Sequence, residues 1–559
     1  MKRLETVPAL LAVTFLSLAL FSGCGGPKPA SEAGDGAVPS GLTEYMPEAA
    51  PEQGDWLLLR LPTEMPHLNP LTSTDYYSGK VLDYIFDGML IRNPVTLEME
   101  PWVAESYEVS EDHLVYTFHL RKDVVFSDGA PLTAQDVKFT FDRLKDPAVD
   151  APHLRNYIAD ITSVEVVDDY TVRFTCDKPY YLHAVVIGGM YIIPKHIYGV
   201  GDFNNHPNNR APVGSGLYVL ESWATGREVV LSRNTRFWGA AEKGLPHFDK
   251  IKFIAITDDN AAFQVLARGD MDAMRLLPED WVRRANTPKF TERFNRFTTG
   301  RPAFNYIGWN TRKPQFSDRE TRRALAMLMN RNQIITEIYQ GLAMPVVAGF
   351  MPGTPENNGS LVPISFDPAG AAALLGQAGW LDSNGDGTLD RDGTEFRFDA
   401  FITNQNPVAE KILTLYKEEL ARAGIELVIR PMEWASLLDR VDKRDFDVIL
   451  MAWMMTPDPD PYQIWHSSQA EKGSNYVGFV NEEADRLVEA ARVSFDRNER
   501  IRLYHRFQEI LYGEQPYLFM MAPKELMAVD KRIQGIRGHL FGMEEREWFA
   551  PRALQRYGG

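Results

Sequence analysis

The sequence predicts an α/β protein divided into more than one lobe, and three observations carry that expectation. The chain is 559 residues long, whereas single hydrophobic cores stop growing at about 250–300 residues and split. Residues 396–455 alternate strand and helix patterns, as crossover units of a largely parallel sheet do. Residues 113–144 read as a strand, a turn and a capped helix, so strands and helices are mixed along the chain. A composition of 44% hydrophobic and 24% charged residues is that of a globular protein.

In chain order, Lys2 and Arg3 precede the apolar stretch from Val7 to Phe21, and small residues follow before Cys24. A charged head, a short apolar run and a small-residue cut site make a secretory signal, here residues 1–23, because about 18 or more apolar residues are needed to span a membrane. Residues 24–55 are rich in Gly, Pro, Ala and Ser and predict a flexible tether, with order beginning near Trp56. Apart from Cys24 the only cysteine is Cys176, in "VRFTCDKPY", which leaves no partner for an internal disulfide and reads as a small buried residue on a strand.

"HLVYTFHL" places Leu114, Tyr116, Phe118 and Leu120 on one face of a strand. Thr133 with Asp136 marks a helix start above the stripe Val137, Phe141 and Leu144. Ser317 with Glu320 predicts a second capping box, opening one helix through Ala324, Leu325, Leu328, Ile335 and Ile338 to a stop at Gly341. Residues 396–455 then give a strand "FRFDAFI", a helix from Val408 to about Ala423, a strand "IELVIR", a helix near "WASLLDRV" and a strand "FDVILMAW".

The chain leaves that last strand as "MAWMMTPDPDPYQIW", residues 451–465. Open sheets bind ligands beyond the carboxyl ends of their strands, and proline can neither donate to nor continue a ladder. Trp453 to Asp460 is therefore expected to form a cavity wall. The alternative is that Trp453 and the methionines are simply core.

A formal net charge of −17 argues against nucleic acid, whose recognition needs a basic face. The chain carries no HExxH, GxSxG, P-loop or helix-opening GxGxxG, and its histidines lack metal-ligand spacing. "PVGSGLY", residues 212–218, reads as a turn where backbones pass closely rather than a nucleophile elbow. Asp458 and Asp460 alone do not make a glycosidase in so acidic a chain. In "DSNGDGTLDRDG", Asp382, Asn384, Asp386 and Asp390 occupy the first, third, fifth and ninth positions of a calcium loop, but the twelfth is Gly393. A weak structural calcium site and a metal-free Asx-rich turn both fit. No other cofactor is expected.

Longer segments carry a resemblance. "LFSGCGG" resembles a bacterial lipoprotein signal lipidated at Cys24, although Phe21 stands where such signals usually carry Leu. "PWVAESYEVSEDHLVYTFHLRKDVVFSDGAPLTAQDVKFTFDRL", with "MPHLNPLTSTD", "YIIPKHIY", "APVGSGLYVLESW", "LSRNTRFWG", "FSDRETRRALAMLMNRNQI" and "NYVGFVNEEADRLVEAAR", is similar to family 5 of the extracellular solute-binding proteins. These are the peptide and nickel class of ABC-transporter receptors. The resemblance implies a two-lobed α/β clamshell with mixed sheets and a hinge: a first lobe over 56–300 with an extra domain near 96–210, a second lobe over 301–524, and a return to the first over 525–559.

It further implies a monomer, lipid-anchored on the extracytoplasmic or periplasmic face of the membrane, closing over a solute and presenting it to an ABC permease without catalysis. In peptide-binding members the ligand adds as a strand; the matching positions are Glu64 and Met65, then Ala452, Trp453 and Met454, with Met455 beside them. Such members carry an Asp three residues after the Trp, facing the ligand's ammonium group. Thr456 stands there in this sequence, which leaves Asp458 and Asp460 as candidates for that role. Alternatives are a non-peptide solute such as an oligosaccharide, opine or metal chelate, and, from another class, a secreted hydrolase.

Overall fold

The β-branched and aromatic runs pair into two main sheets in a computed structural model that describes residues 50–404 and 406–557. The first sheet centres on Trp56–Leu61, which runs parallel to Lys250–Ala255 over its whole length. Its order is Phe294–Gly300, Met521–Asp530, Ala273–Arg275, Trp56–Leu61, Lys250–Ala255, Glu228–Arg233 and Tyr218–Ala224. An antiparallel four-stranded sheet stands beside it, ordered Ala104–Val109, Val115–Leu120, Thr171–Cys176 and Ile161–Asp168. Tyr116, Phe118 and Leu120 face inward as their alternation predicts, and they join one core with Leu57 and Leu61 of the large sheet. The first lobe and its extra domain therefore share an interior.

Helix Ala134–Lys145 covers the four-stranded sheet, opened by the Thr133–Asp136 capping box. Cys176 is buried and unpaired in this layer, where burial pushes its thiol up to about 12. "PVGSGLY" is a close backbone crossing. A Cβ on Gly214 would sit 2.0 Å from Ile85 O, and the Ser215 hydroxyl is buried on Asp87, donating at 2.9 Å.

The second sheet is ordered Glu426–Met432, Arg397–Thr403, Val448–Met454, Ala303–Trp309 and Tyr517–Phe519. Its first three strands are parallel and are linked by helices Pro407–Arg422 and Trp434–Asp442, so each element expected over 396–455 is present. The sheet is mixed because the chain enters and leaves the lobe through two antiparallel strands. Phe294–Gly300 in the first sheet runs into Ala303–Trp309 in the second, and Tyr517–Phe519 runs back into Met521–Asp530. Two strand crossings thus join the lobes, which have separate cores.

Two sequence expectations need correction. Asp318, not Ser317, caps helix Arg319–Met327, accepting from Thr321 N. The expected single helix is also broken at residues 328–330. It resumes at Arg331–Gln333, capped by Asn330, and continues as a wider turn over Ile334–Ile338 before Gly341; the buried Arg331 guanidinium at the restart donates to the carbonyls of Phe519 and Ile364. Order begins beside Trp56, where the first strand starts. Asp55 is fully buried, paired with Arg532 and accepting from Arg556 N and Tyr557 N, while Arg532 also pairs with the buried Asp272. The signal segment, Cys24 and most of the expected tether lie outside the described residues.

Candidate functional site

The stretch after the central strand of the second sheet is the candidate site. Val448–Met454 pairs along its full length with Ala303–Trp309. On its other side it meets Arg397–Thr403 only at Val448 and Ile449, and among the described residues no strand pairs with Leu450 to Met454 there. Asp447 O accepts from Asn310 N at 3.0 Å, and Met455 N donates to Pro302 O at 2.7 Å. Antiparallel pairing alternates residue by residue, so the backbone N–H and C=O of Ala452 and Met454 point to the open edge. Pro457, Pro459 and Pro461 keep the chain from folding back to fill it.

Trp453 lies half-buried between Tyr306 and Tyr476, with ring planes within 4° and centroids 6.2 and 6.0 Å away, and its Nε1 donates to the Tyr517 hydroxyl at 3.2 Å. Ala452 and Met454 are exposed and Met455 is buried. A cavity of about 80 Å³ is lined by Trp453, Met454, Met455, Thr456 and Asp460 together with Phe304 and Met351, all residues of the second lobe. At about 30 Å³ per water it has room for two or three waters.

The acids of the proline segment are already engaged. Asp458 meets Arg92 of the first lobe at 2.7 Å. Asp460 accepts from the Tyr180 hydroxyl of the extra domain at 2.7 Å and lies 3.2 Å from Arg492. Between them, Pro459 O accepts from Tyr181 at 2.6 Å and from Tyr504 at 2.7 Å. Burial, then the Asp460 carboxylate, raises the Tyr180 phenol well above its ordinary range, so it stays a donor. Thr456 donates to Asp458 O at 2.8 Å. Residues 458–460 therefore bridge the lobes, and both carboxylates are already engaged, Asp458 with a third of its side chain exposed and Asp460 almost buried.

Glu64 and Met65 lie outside this cavity's lining. The exposed Glu64 carboxylate accepts from Trp223 Nε1 at 2.9 Å and Gly226 N at 2.7 Å. Met65 is 1% exposed in the first lobe's core, which leaves only its backbone for contact. The loop at Asp382 closes on itself. Asp382 accepts from the N–H groups of Gly385, Asp386 and Gly387, Asn384 accepts from Asp386 N, and Asp390 accepts from Ser383. Among the described residues, no group of three or more His, Cys, Asp or Glu is placed to hold a metal ion. Sequence reasoning missed Tyr180, Tyr181, Arg92 and Tyr504. The adjacent tyrosines of "DKPYYL" were the available signal, an aromatic pair at a strand's exit.

Two α/β lobes on a pair of strand crossings, with an open strand edge beside the residues that bridge them, define a receptor that encloses a solute. The chain belongs to the bacterial extracellular solute-binding proteins, family 5, whose middle region matches residues 98–475. It is 29% identical to the oligopeptide-binding protein AppA of Bacillus subtilis, over 96% of this chain and 97% of that one. The solved structure of that AppA in complex with a nonapeptide superposes with a TM-score of 0.78 at 28% identity, covering 90% of this chain and all of its own. The periplasmic binding protein DppA of Helicobacter pylori in complex with the peptide STSA gives a TM-score of 0.76 at 25% identity, covering 89% of this chain and 98% of that one. Among the described residues no helix is long and apolar enough to cross a membrane.

Proposed function

We propose that the protein is the receptor of an ABC importer, held outside the cytoplasmic membrane by a lipid on Cys24, which captures a peptide or peptide-like solute between its lobes and passes it to a permease without altering it. The observation that carries this reading is the open backbone edge at Ala452 and Met454, beside a small cavity of the second lobe and the proline segment that meets the first. An extended peptide satisfies such an edge through main-chain bonds whatever its side chains, and the exposed Met454 adapts to varied neighbours. The peptide complexes of the similar AppA and DppA support the choice. The test is mass spectrometry of small molecules released on denaturing the purified protein, followed by calorimetry with the species found. Recovery of peptides that rebind is the expected result; release of a sugar or a metal chelate would move the assignment.

A non-peptide solute is the second reading. Thr456 stands where an ammonium partner is needed, and both Asp458 and Asp460 are committed to contacts between lobes. A calorimetric preference for peptides with free over acetylated amino termini would count against it.

A further inference from the structure

The first strand crossing contains a guanidinium with no partner. Arg301 is half-buried between Gly300 and Pro302, and among the described residues its side chain makes no hydrogen bond or ion pair. Around it stand Arg275, Glu525, Tyr76 and Tyr339, all close enough to act on its charge. Arg275 ends a strand of the first sheet and already holds Glu525 at 2.5 Å, so the carboxylate nearest in charge terms is engaged elsewhere. Burial, with Arg275 beside it, pulls the Arg301 pKa below its ordinary value, the response of a cation short of counter-charge.

Arg301 is also tied to the open edge. Tyr339 accepts from Asn305 Nδ2 at 2.8 Å, and Asn305 lies directly opposite Ala452 in the ladder. One residue beyond Arg301, Pro302 O holds Met455 N. Tyr76, at the start of helix Tyr76–Ile85 of the first lobe, is 51% exposed. Leaving a partly desolvated cation unpaired is costly, and an oxyanion entering between the lobes would relieve it. Guanidinium groups suit planar oxyanions, which they hold through paired N–H donors.

We infer that Arg301, with Arg275 behind it, receives a carboxylate of the bound solute at the hinge end of the cleft. The receptor would then grip its guest by a negative group at the floor, where the neighbouring proline segment offers no free acid to a positive one. For a peptide that group is the C-terminal carboxylate or an acidic side chain; the inference rests on the peptide reading only for this choice.

The test uses pentapeptide pools with free or amidated C-termini, each made with and without Asp and Glu, titrated against the wild-type protein and Arg301→Gln. In the wild type, removing the relevant carboxylate should weaken binding about tenfold or more, and the pool that loses affinity identifies its source. Arg301→Gln should bind all pools at the weakened level. Equal wild-type affinity for every pool, or an undiminished acid preference in Arg301→Gln, would overturn the assignment. Binding of no pool retires the peptide reading instead. The species released from denatured protein then decides the matter: an anionic solute absent from Arg301→Gln supports the assignment, and a neutral or cationic one, or an anion that Arg301→Gln retains, overturns it. Should Arg301→Gln not fold, Arg301→Lys keeps the charge without the fork; a reduced acid preference supports the assignment and an unchanged one overturns it.

Discussion

Replacing Tyr180 and Tyr181 together by Phe tests whether the proline segment couples the lobes. Both hydroxyls cross from the extra domain to residues 459 and 460, while the rings are packed independently, Tyr180 edge-on to His183 at 5.3 Å and Tyr181 beneath Arg500 at 4.2 Å. The Tyr180 bond ends on a carboxylate and contributes about 1.5–3 kcal/mol net, whereas the Tyr181 bond ends on a neutral carbonyl and contributes about 0.5–1.5 kcal/mol. The second value belongs near its lower end, since Tyr504 continues to satisfy Pro459 O. The lobe-to-lobe contact therefore loses about 2–4 kcal/mol, or roughly 30- to 1000-fold in the closed-to-open ratio. Phe preserves the ring packing, so the double variant should stay folded, with any fall in melting temperature limited to the two lost hydrogen bonds. Small-angle scattering should show a larger radius of gyration, and stopped-flow Trp fluorescence a solute off-rate raised by about 30-fold or more at nearly unchanged on-rate. A folded double variant with wild-type scattering and wild-type off-rate would refute the coupling.

Three further outcomes follow from the same contacts. Trp453→Ala should abolish the solute-induced thermal shift and, because the indole is only half-buried between Tyr306 and Tyr476, cost about 2 kcal/mol, roughly half the value for a fully buried Trp; a melting curve lowered by a few degrees with binding intact would remove Trp453 from the site. His183 is buried with neither ring nitrogen hydrogen-bonded, and burial, opposed by Asp160 and Asp177 and reinforced by Arg492, lowers its pKa to about 4. The unfolded chain therefore binds the extra proton first, so stability complete above pH 6.5 falls by up to about 3 kcal/mol as pH drops towards 4; urea titrations across that range should lose the slope in His183→Phe. Adding millimolar calcium to chelated protein should leave its melting temperature unmoved, since the N–H groups of the loop already engage Asp382 and Asn384 and Gly393 replaces the bidentate acid; a rise of several degrees would establish a calcium site.

Local elements were legible because local chemistry decides them. Thr133 with Asp136, the alternation through Phe118, and the five elements over 396–455 each follow from residues within one turn or one strand. The helix expected through Ile338 is present but broken at 328–330, just before Arg331, whose guanidinium answers carbonyls of residues 364 and 519 that no window around residue 331 contains. The ordered start was read to within a residue, but the Asp55–Arg532 pair that holds it was hidden for the same reason, its partners being far apart along the chain.

The proline segment shows the difference within seven residues. That Trp453 lies at a strand's exit could be read from hydrophobic pattern and proline alone. That Asp458 and Asp460 face Arg92 and Tyr180 could not, because those contacts span sequence separations of several hundred residues. The distinction changes the chemistry assigned to the site. With an acid free at residue 458 or 460, a cationic end of the solute would be held at the proline segment; with both acids bridging the lobes and Arg301 unpaired at the hinge, the electrostatic preference runs the other way. Closure and recognition are then separate: the acids hold the lobes together from one side of the cavity, while a guanidinium at the crossing waits for charge from the guest.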